Sequence, residues 1–191
     1  MTYIIIDLEA TCQDKGEFPK EEMETIEIGA VVLGDGLEVV ATYKNFIKPV
    51  RNPILTDFCK SLTGITQFDV DTAREFVEVF QEFSDWFKGH GNGNDGFAFY
   101  NWRDTNPTFC SWGMFDLYQF KRDCKYHNID YTLSDEHINI KELYSKNQSR
   151  KKSYGLGKAI RKEGLEFEGN AHRALDDAKN MARIAYAIFK D

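Results

Sequence analysis

Apolar residues dominate the first part of the chain in the pattern of β-strands. Residues 3–8 include three consecutive isoleucines and a leucine, which predicts a strand that is buried on both faces. Two further β-rich runs, 25–33 and 37–47, are separated by Gly34-Asp35-Gly36, and an Asp-Gly pair between two such runs is typical of a hairpin turn. The N-terminal region therefore predicts a buried strand followed by a β-hairpin.

Beyond residue 50 the apolar positions recur mainly at helical spacing. A short helix is predicted over residues 56–62, and a longer one from a capping Asp71 to Lys88, with phenylalanines at 76, 80, 83 and 87 on its buried side. The other predicted elements are strands over 97–100 and 108–112 and helices over 114–127, 140–146, 154–163 and 171–190. This order predicts an α/β fold with a mixed central sheet flanked by helices.

Length and composition favour a single domain spanning residues 1–191. With 42% hydrophobic residues, the chain can bury a core and is too apolar for an intrinsically disordered protein. Its four cysteines form no Cys-x-x-Cys motif and no secretory leader precedes them, so free thiols and a cytoplasmic location are expected. No apolar run approaches the roughly 20 residues that cross a bilayer, so no membrane partner is expected.

The charge of the chain is acidic overall but unevenly distributed. A net charge of -7 argues against a protein that coats nucleic acid by bulk electrostatics. Eight basic residues nevertheless accompany a single acid, Glu142, between positions 141 and 162. A solvated surface is the ordinary explanation of such a run. The alternative is a surface that follows the phosphates of a nucleic acid, with Lys151 and Lys152 as candidate contacts.

Asp7 and Glu9 end an otherwise apolar strand. Residues i and i+2 of a strand face the same side, so the two carboxylates are expected side by side at a buried strand end. Two such charges repel each other and lose hydration, which predicts a cation that offsets them. The alternative is that the strand ends at Ile6 and both acids are solvated.

Asp116 is a second candidate of the same kind. It opens the helix predicted over 114–127 and shares a helix face with Phe120 and Cys124, so it is expected to point inwards. An acid in the first turn of a helix is also favoured by the helix dipole, with no functional role.

The segment 171–177 supplies the remaining candidates. On a helix, Asp177 falls on the apolar stripe and Asp176 on the polar one, so Asp177 is predicted to be buried and Asp176 solvated. His172 lies five positions before Asp177 and is expected at or just before the helix start, where it can turn into the site. Four inward carboxylates suit Mg²⁺ or Mn²⁺ rather than Zn²⁺, and two such ions form the clamp used in phosphodiester cleavage.

The order of these residues matches a known family. Asp7-x-Glu9, then Asp116, then His172-x-x-x-x-Asp177 resembles the DEDDh branch of the DnaQ-like 3′-to-5′ exonucleases. Four further stretches resemble the enhanced-RNAi and histone-mRNA exoribonucleases and the bacterial KapD-like proteins of that branch: Ile6-Asp7-Leu8-Glu9-Ala10-Thr11-Cys12, Glu27-Ile28-Gly29-Ala30-Val31, Leu62-Thr63-Gly64-Ile65-Thr66 and Ser111-Trp112. The resemblance covers nearly the whole chain.

The resemblance implies an RNase H-like fold and a set of residue roles. Metal ligation falls to Asp7, Glu9, Asp116 and Asp177, and His172 becomes the general base, because an imidazole can accept a proton near neutral pH. Residues implied to contact substrate are Ala10, Thr11, Leu62, Thr63 and Trp112. Met114 stands where relatives often have an acid, and the stretch 101–107 is longer than in typical relatives, with Trp102 as a candidate for stacking on a base.

The predicted function is a metal-dependent 3′-to-5′ exonuclease. It is expected to use two divalent ions, Mg²⁺ or Mn²⁺, and to remove nucleoside 5′-monophosphates from the free 3′ end of single-stranded nucleic acid, with RNA favoured over DNA. Two alternatives stay open: a non-catalytic nucleic-acid-binding module on the same fold, and a related two-metal endonuclease.

Overall fold

The computed structural model describes residues 2–16, 18–90, 102, 106–134, 136–148 and 153–189. The strand predicted over 97–100, the candidate contacts Lys151 and Lys152 and most of the stretch 101–107 lie outside the described residues.

A mixed sheet organises the described part of the chain. Its five strands lie in the order β3-β2-β1-β4-β5. Their bounds are β1 (Tyr3–Ala10), β2 (Thr25–Leu33), β3 (Val39–Phe46), β4 (Thr108–Ser111) and β5 (His137–Asn139). The pairs β1–β2 and β2–β3 are antiparallel, whereas β1–β4 and β4–β5 are parallel. The carboxyl ends of β1, β4 and β5 therefore meet at one edge of the sheet.

Helices cover the sheet, as the sequence predicts. They are α1 (Asp57–Thr63), α2 (Gln67–Asp71), α3 (Phe76–Phe87), α4 (Phe115–Tyr126), α5 (Ile140–Asn147), α6 (Leu156–Lys162) and α7 (Ala174–Phe189), and a short 3-10 helix spans Lys20–Glu22. Among the described residues, none of these helices combines the length and the apolar character needed to cross a membrane.

One predicted helix is shorter than expected. The helix predicted from Asp71 to Lys88 begins only at Phe76, and Asp71 is the last residue of α2, a short helix that the sequence did not predict. The side chains of Thr66 and Asp69 form a capping box at the start of α2, so this segment nucleates its own short helix. The Asp71 carboxylate accepts a hydrogen bond from the Gln67 side chain at 2.8 Å, which removes it from any capping role.

The core lies on both faces of the sheet. Ile4 and Ile6 of β1 pack in one cluster with the aromatic side of α3, and Ile5 packs in the other with α7. The predicted phenylalanine stripe of α3 is fully part of the first cluster. Trp102 belongs to this cluster too, with its Nε1 donating to the Phe87 carbonyl at 3.0 Å. Trp102 is therefore a core residue, and the interpretation as a base-stacking side chain is wrong.

Candidate active site

The strand β1 carries the first two acids of the site. It continues to Ala10, so the alternative in which the strand ends at Ile6 is wrong. Asp7 and Glu9 alternate with Ile6 and Leu8, which places both carboxylates on the face of the sheet that α7 covers. Asp7 is half-buried and Glu9 is only 8% exposed, so neither carboxylate is freely solvated.

The third acid comes from α7. Carboxylate oxygens of Asp7, Glu9 and Asp177 all lie within 4.8 Å of one another. We call these three residues the carboxylate cluster. Asp177 faces this cluster, as the apolar stripe of α7 predicts. Residues far apart in sequence are thus brought together by the crossing of α7 over β1.

His172 lies in the turn before α7, at the place that the sequence predicts. Its backbone has a positive φ of 62°, and its N–H donates to Asp177 Oδ2 at 2.7 Å. The imidazole is exposed, and its nearness lowers the pKa of Asp177 against the larger effect of burial. The turn thus fixes the main chain of His172 to an acid of the cluster and leaves its ring open to solvent.

Asp176 is less exposed than its place on the polar stripe predicts. Its Oδ2 accepts the N–H of Asn170 at 2.9 Å, and its side chain lies against Gly169. Asn180, on the same stripe, is 0% exposed and bonds the backbone of Glu168. This side of α7 binds the loop before the helix through its polar side chains, and Asp176, predicted to be solvated, is half-buried.

Asp116 stands at the edge of the carboxylate cluster. It is 4% exposed and shares the buried side of α4 with Phe120 and Cys124, as predicted. Its Oδ1 accepts the N–H of Leu8 at 3.0 Å, which ties the start of α4 to β1 between Asp7 and Glu9. Asp116 therefore lies close enough to act on the site, although the 4.8 Å grouping does not include it.

Burial and mutual repulsion dominate the electrostatics of these acids. Burial raises the pKa of Asp7 well above its usual range, and the charges of Asp116 and Glu9 add to that shift. Burial, with the charge of Asp177 next, raises the pKa of Glu9 to about 9. Burial also raises the pKa of Asp116 and of Asp177 to about 6 each. A divalent cation would stabilise the charged forms, and a set of carboxylate oxygens fits a hard divalent cation.

The residues expected to contact substrate differ in their exposure. Leu62 is 38% exposed on α1, whereas Ala10, Thr11 and Thr63 are buried. The Thr11 hydroxyl accepts the N–H of Glu24 at 3.0 Å, and the Thr63 hydroxyl donates to the Cys59 carbonyl at 2.9 Å. Leu62 is therefore open to a ligand, whereas the two threonines are engaged within the protein.

Trp112 is mainly a packing residue in this structure. Its Nε1 donates to the Tyr154 carbonyl at 3.1 Å, and its ring lies 6.1 Å from that of Tyr144.

Phe115, directly before Asp116, is 42% exposed, and the sequence analysis did not single it out. The sequence signal that could have identified Phe115 is an aromatic residue next to an acid at a predicted helix start. Met114 is also exposed, at 36%.

Comparison with known proteins supports the grouping of these residues. A protein-family model described as an exonuclease matches residues 4–185. The human 3′-5′ exoribonuclease 1 is 34% identical over 190 residues, which cover 98% of this chain and 52% of that protein. The Bacillus subtilis probable 3′-5′ exonuclease KapD is 30% identical over 188 residues, covering 98% of this chain and 82% of that protein.

A solved structure agrees in fold. The crystal structure of the nuclease domain of 3′hExo, a DEDDh family member bound to rAMP, superposes with a TM-score of 0.82 at 31% identity, covering 100% of this chain and 92% of that one. The fold is therefore RNase H-like, as expected from the resemblance. The chain spans about half the length of the 3′-5′ exoribonuclease 1 sequences that it matches. From the family match and these relatives, the chain belongs to the exonuclease family and resembles its DEDDh members.

Proposed function

We propose that this chain is a metal-dependent 3′-to-5′ exonuclease, with residues 1–191 acting as one exonuclease domain. The observation that carries the proposal is the carboxylate cluster, in which three acids from β1 and α7 converge within 4.8 Å. Burial raises the pKa of each, and the charges of neighbouring acids raise those of Asp7 and Glu9 further. Structural acids are normally offset by bases or hydrogen-bond donors, so this arrangement calls for a cation.

The proposed ligands are Asp7, Glu9 and Asp177, with Asp116 completing the set. Oxygen ligands favour Mg²⁺ or Mn²⁺, and we propose two such ions. When bound, the ions supply electrostatic stabilisation of the attacking and leaving oxygens of a phosphodiester. The N–H that Asp116 receives from Leu8 orients its carboxylate towards the end of β1.

His172 is the proposed general base. Its N–H is held by Asp177, while the exposed ring can reach a water molecule at the edge of the cluster. The imidazole would accept a proton from that water as it attacks the last phosphodiester. The bond from phosphorus to the 3′ oxygen of the penultimate nucleotide breaks, and a nucleoside 5′-monophosphate leaves. That oxygen keeps the electron pair and is protonated, so the shortened strand ends in a 3′ hydroxyl.

The proposed substrate is a single-stranded nucleic acid with a free 3′ end, with RNA favoured because several relatives are named exoribonucleases. The exposed Leu62 and Phe115 are proposed to contact the terminal base, since apolar and aromatic side chains stack on bases without sequence preference. Ala10, Thr11, Thr63 and Trp112 are proposed to shape the pocket behind them. Lys151 and Lys152 remain proposed phosphate contacts. The free thiols of the four cysteines are consistent with a cytoplasmic location, which we include in the proposal.

A degradation assay on 5′-labelled single-stranded RNA tests the proposal. With Mg²⁺ or Mn²⁺ the wild type should produce a ladder that shortens by single nucleotides from the 3′ end, and parallel assays on DNA and on a hairpin with a 3′ tail define the preferred substrate. Asp7→Asn is the matched inactive control. Internal cuts would favour the endonuclease, and binding without any shortening would favour the non-catalytic module.

A further inference from the structure

Glu27 is a fifth acid beside the carboxylate cluster, and neither the family resemblance nor the grouping by distance gives it a role. It lies on β2, directly opposite Glu9 in the β1–β2 pairing, and is 0% exposed. Its charge contributes to the raised pKa values of Asp7 and Glu9, so it lies within electrostatic range of both.

Unlike those acids, Glu27 is surrounded by donors. Its Oε2 accepts the Ala174 N–H at 3.1 Å and the Arg173 Nε at 3.2 Å, while Oε1 accepts from Arg173 Nη2 at 3.1 Å. Lys44 adds a second cation, with its Nζ 3.5 Å from Oε1. Both carboxylate oxygens are thus engaged by positive groups, and Glu27 holds the start of α7.

The contact with Ala174 has the role of a helix cap. Ala174 is the first residue of α7, and the first N–H groups of a helix have no partner within the helix. An acid at this end also interacts favourably with the helix dipole. Here the capping carboxylate comes from a neighbouring strand instead of the preceding residue, which is Arg173.

Gly29, two residues along the same face of β2, brings the helix equally close. A Cβ at Gly29 would lie 2.1 Å from the Ala174 carbonyl carbon, so only glycine allows this approach. Gly29 pairs with Asp7 across the strands, just as Glu27 pairs with Glu9. The β2 positions opposite the two catalytic acids of β1 therefore both receive the first turn of α7.

We propose that Glu27 is a positioning residue for the exonuclease reaction. It anchors the 172–174 turn to β2 and thereby sets the place of the His172 ring and of the Asp177 carboxylate relative to Asp7 and Glu9. The inference rests on the proposed function, since it assigns Glu27 a part in that same site. Its carboxylate is not itself a metal ligand, because Arg173, Lys44 and the Ala174 N–H already engage both oxygens.

The test compares two isosteric substitutions of buried acids that are paired with an arginine. Glu27→Gln keeps an oxygen for the Ala174 N–H and loses the charge that holds Arg173. Asp123→Asn is the control, since Asp123 accepts from Arg51 at 3.2 Å and from the Thr25 N–H, outside the carboxylate cluster. Steady-state kinetics on single-stranded RNA with Mn²⁺, Mn²⁺ affinity by calorimetry and hydrogen exchange of the 170–177 peptide are measured for each variant.

For Glu27→Gln we expect kcat to fall about 10–100-fold with a much smaller change in KM, and Mn²⁺ affinity to fall in the same direction. Exchange at the 170–177 peptide should be faster without metal or substrate, because the His172 N–H is no longer held as firmly. Glu27→Leu should lose more than Glu27→Gln, which retains one acceptor. Asp123→Asn should leave kcat and this peptide unchanged.

The outcomes separate this inference from the proposed function. A wild type without exonuclease activity overturns the proposed function, and the exchange measurement then still reports whether Glu27 holds the turn. An active wild type with Glu27→Gln matching Asp123→Asn in kcat, metal affinity and peptide exchange overturns the positioning role. If Glu27→Gln does not fold, Arg173→Gln replaces it, because it removes the ion pair and leaves the Ala174 contact, and unchanged kcat and exchange in that variant overturn the role equally.

Discussion

Two groups of buried and half-buried acids in this protein have opposite surroundings. In the carboxylate cluster, Asp7, Glu9 and Asp177 face one another, and the charges of neighbouring acids raise the pKa values of Asp7 and Glu9. In the second group, which we call the Arg51 network, Glu24 and Asp123 surround Arg51. The Glu24 carboxylate accepts the backbone N–H groups of residues 50, 51 and 52 at 2.7–2.8 Å.

The difference shows what marks a functional acid. Asp123 is as deeply buried as any acid of the cluster, yet it receives the Thr25 hydroxyl at 2.7 Å, the Thr25 N–H and the Arg51 guanidinium. The network joins α4, β2 and the 50–52 loop, and its charges are offset within the protein. Burial of an acid alone therefore does not indicate a metal site. Like charges that face each other do, because they require a cation from outside the protein.

The largest expected effect comes from removing a charge of the cluster. Asp7→Asn should lower the exonuclease rate by about 1,000-fold or more, because it removes a proposed ligand from between the other acids. In EDTA its free energy of unfolding should equal or exceed that of the wild type, since a repulsive charge is lost. Urea unfolding and the 5′-label assay measure the two quantities. A variant that is clearly less stable in EDTA would contradict the contrast with the Arg51 network.

His172→Asn is expected to have the next largest effect. The rate should fall by about 100- to 10,000-fold, the usual range for a lost general base. Asparagine tolerates the positive φ of this position and keeps the N–H that Asp177 accepts, so Mn²⁺ affinity should remain near that of the wild type. Single-turnover rates and calorimetry provide the comparison. Loss of metal affinity in step with the rate would show that the substitution acts on the fold of the turn.

A third substitution breaks the Arg51 network instead. Asp123→Asn should destabilise the protein by about 3–5 kcal/mol, because it leaves Arg51 without a carboxylate that it contacts at 3.2 Å. Its kcat should stay within about twofold of the wild type, since the network lies outside the carboxylate cluster. Chemical unfolding and steady-state kinetics test this. A normal stability together with a low kcat would reverse the assignment of the two groups.

The sequence predicts the features of this contrast that depend on neighbouring residues better than those that depend on contacts between distant parts of the chain. Asp177 could be told from Asp176 because helical periodicity is local, and the structure places Asp177 in the cluster as predicted. The position of His172 before α7 followed from the same local argument. The convergence of both with β1 was inferred from the set of inward-facing acids and from the family resemblance and not from local periodicity, because the packing of α7 over β1 is a contact between distant parts of the chain.

The errors also have physical reasons. Asp71 does not cap α3 because it is the last residue of α2, which starts at the capping box of Thr66 and Asp69, and α3 begins only at Phe76 with Glu75 at its N-cap. The strand β5 was not predicted, since its three residues have no apolar run and form a strand only by pairing with β4. Glu27 was seen only as part of a motif, because its role depends on Arg173 and Ala174, nearly 150 positions away.

The smallest expected effect is the pH dependence of folding without metal. Burial raises the pKa of Asp116 and Asp177 to about 6 and that of Glu9 to about 9, above the ordinary values of about 4 for these acids in the unfolded chain. The folded state therefore binds more protons, and this part of the stability is present below about pH 4 and is lost as pH rises through the folded pKa values.

Urea unfolding in EDTA at several pH values measures that slope. The free energy of unfolding of the wild type should fall from about pH 5 to about pH 7 relative to that of a double Asp7→Asn, Asp177→Asn variant, which lacks two of the repelling charges. Excess Mn²⁺ should reduce the fall, because bound cations favour the charged carboxylates. Equal slopes for the wild type and the double variant would mean that the cluster is neutralised by groups of the protein itself, as the Arg51 network is.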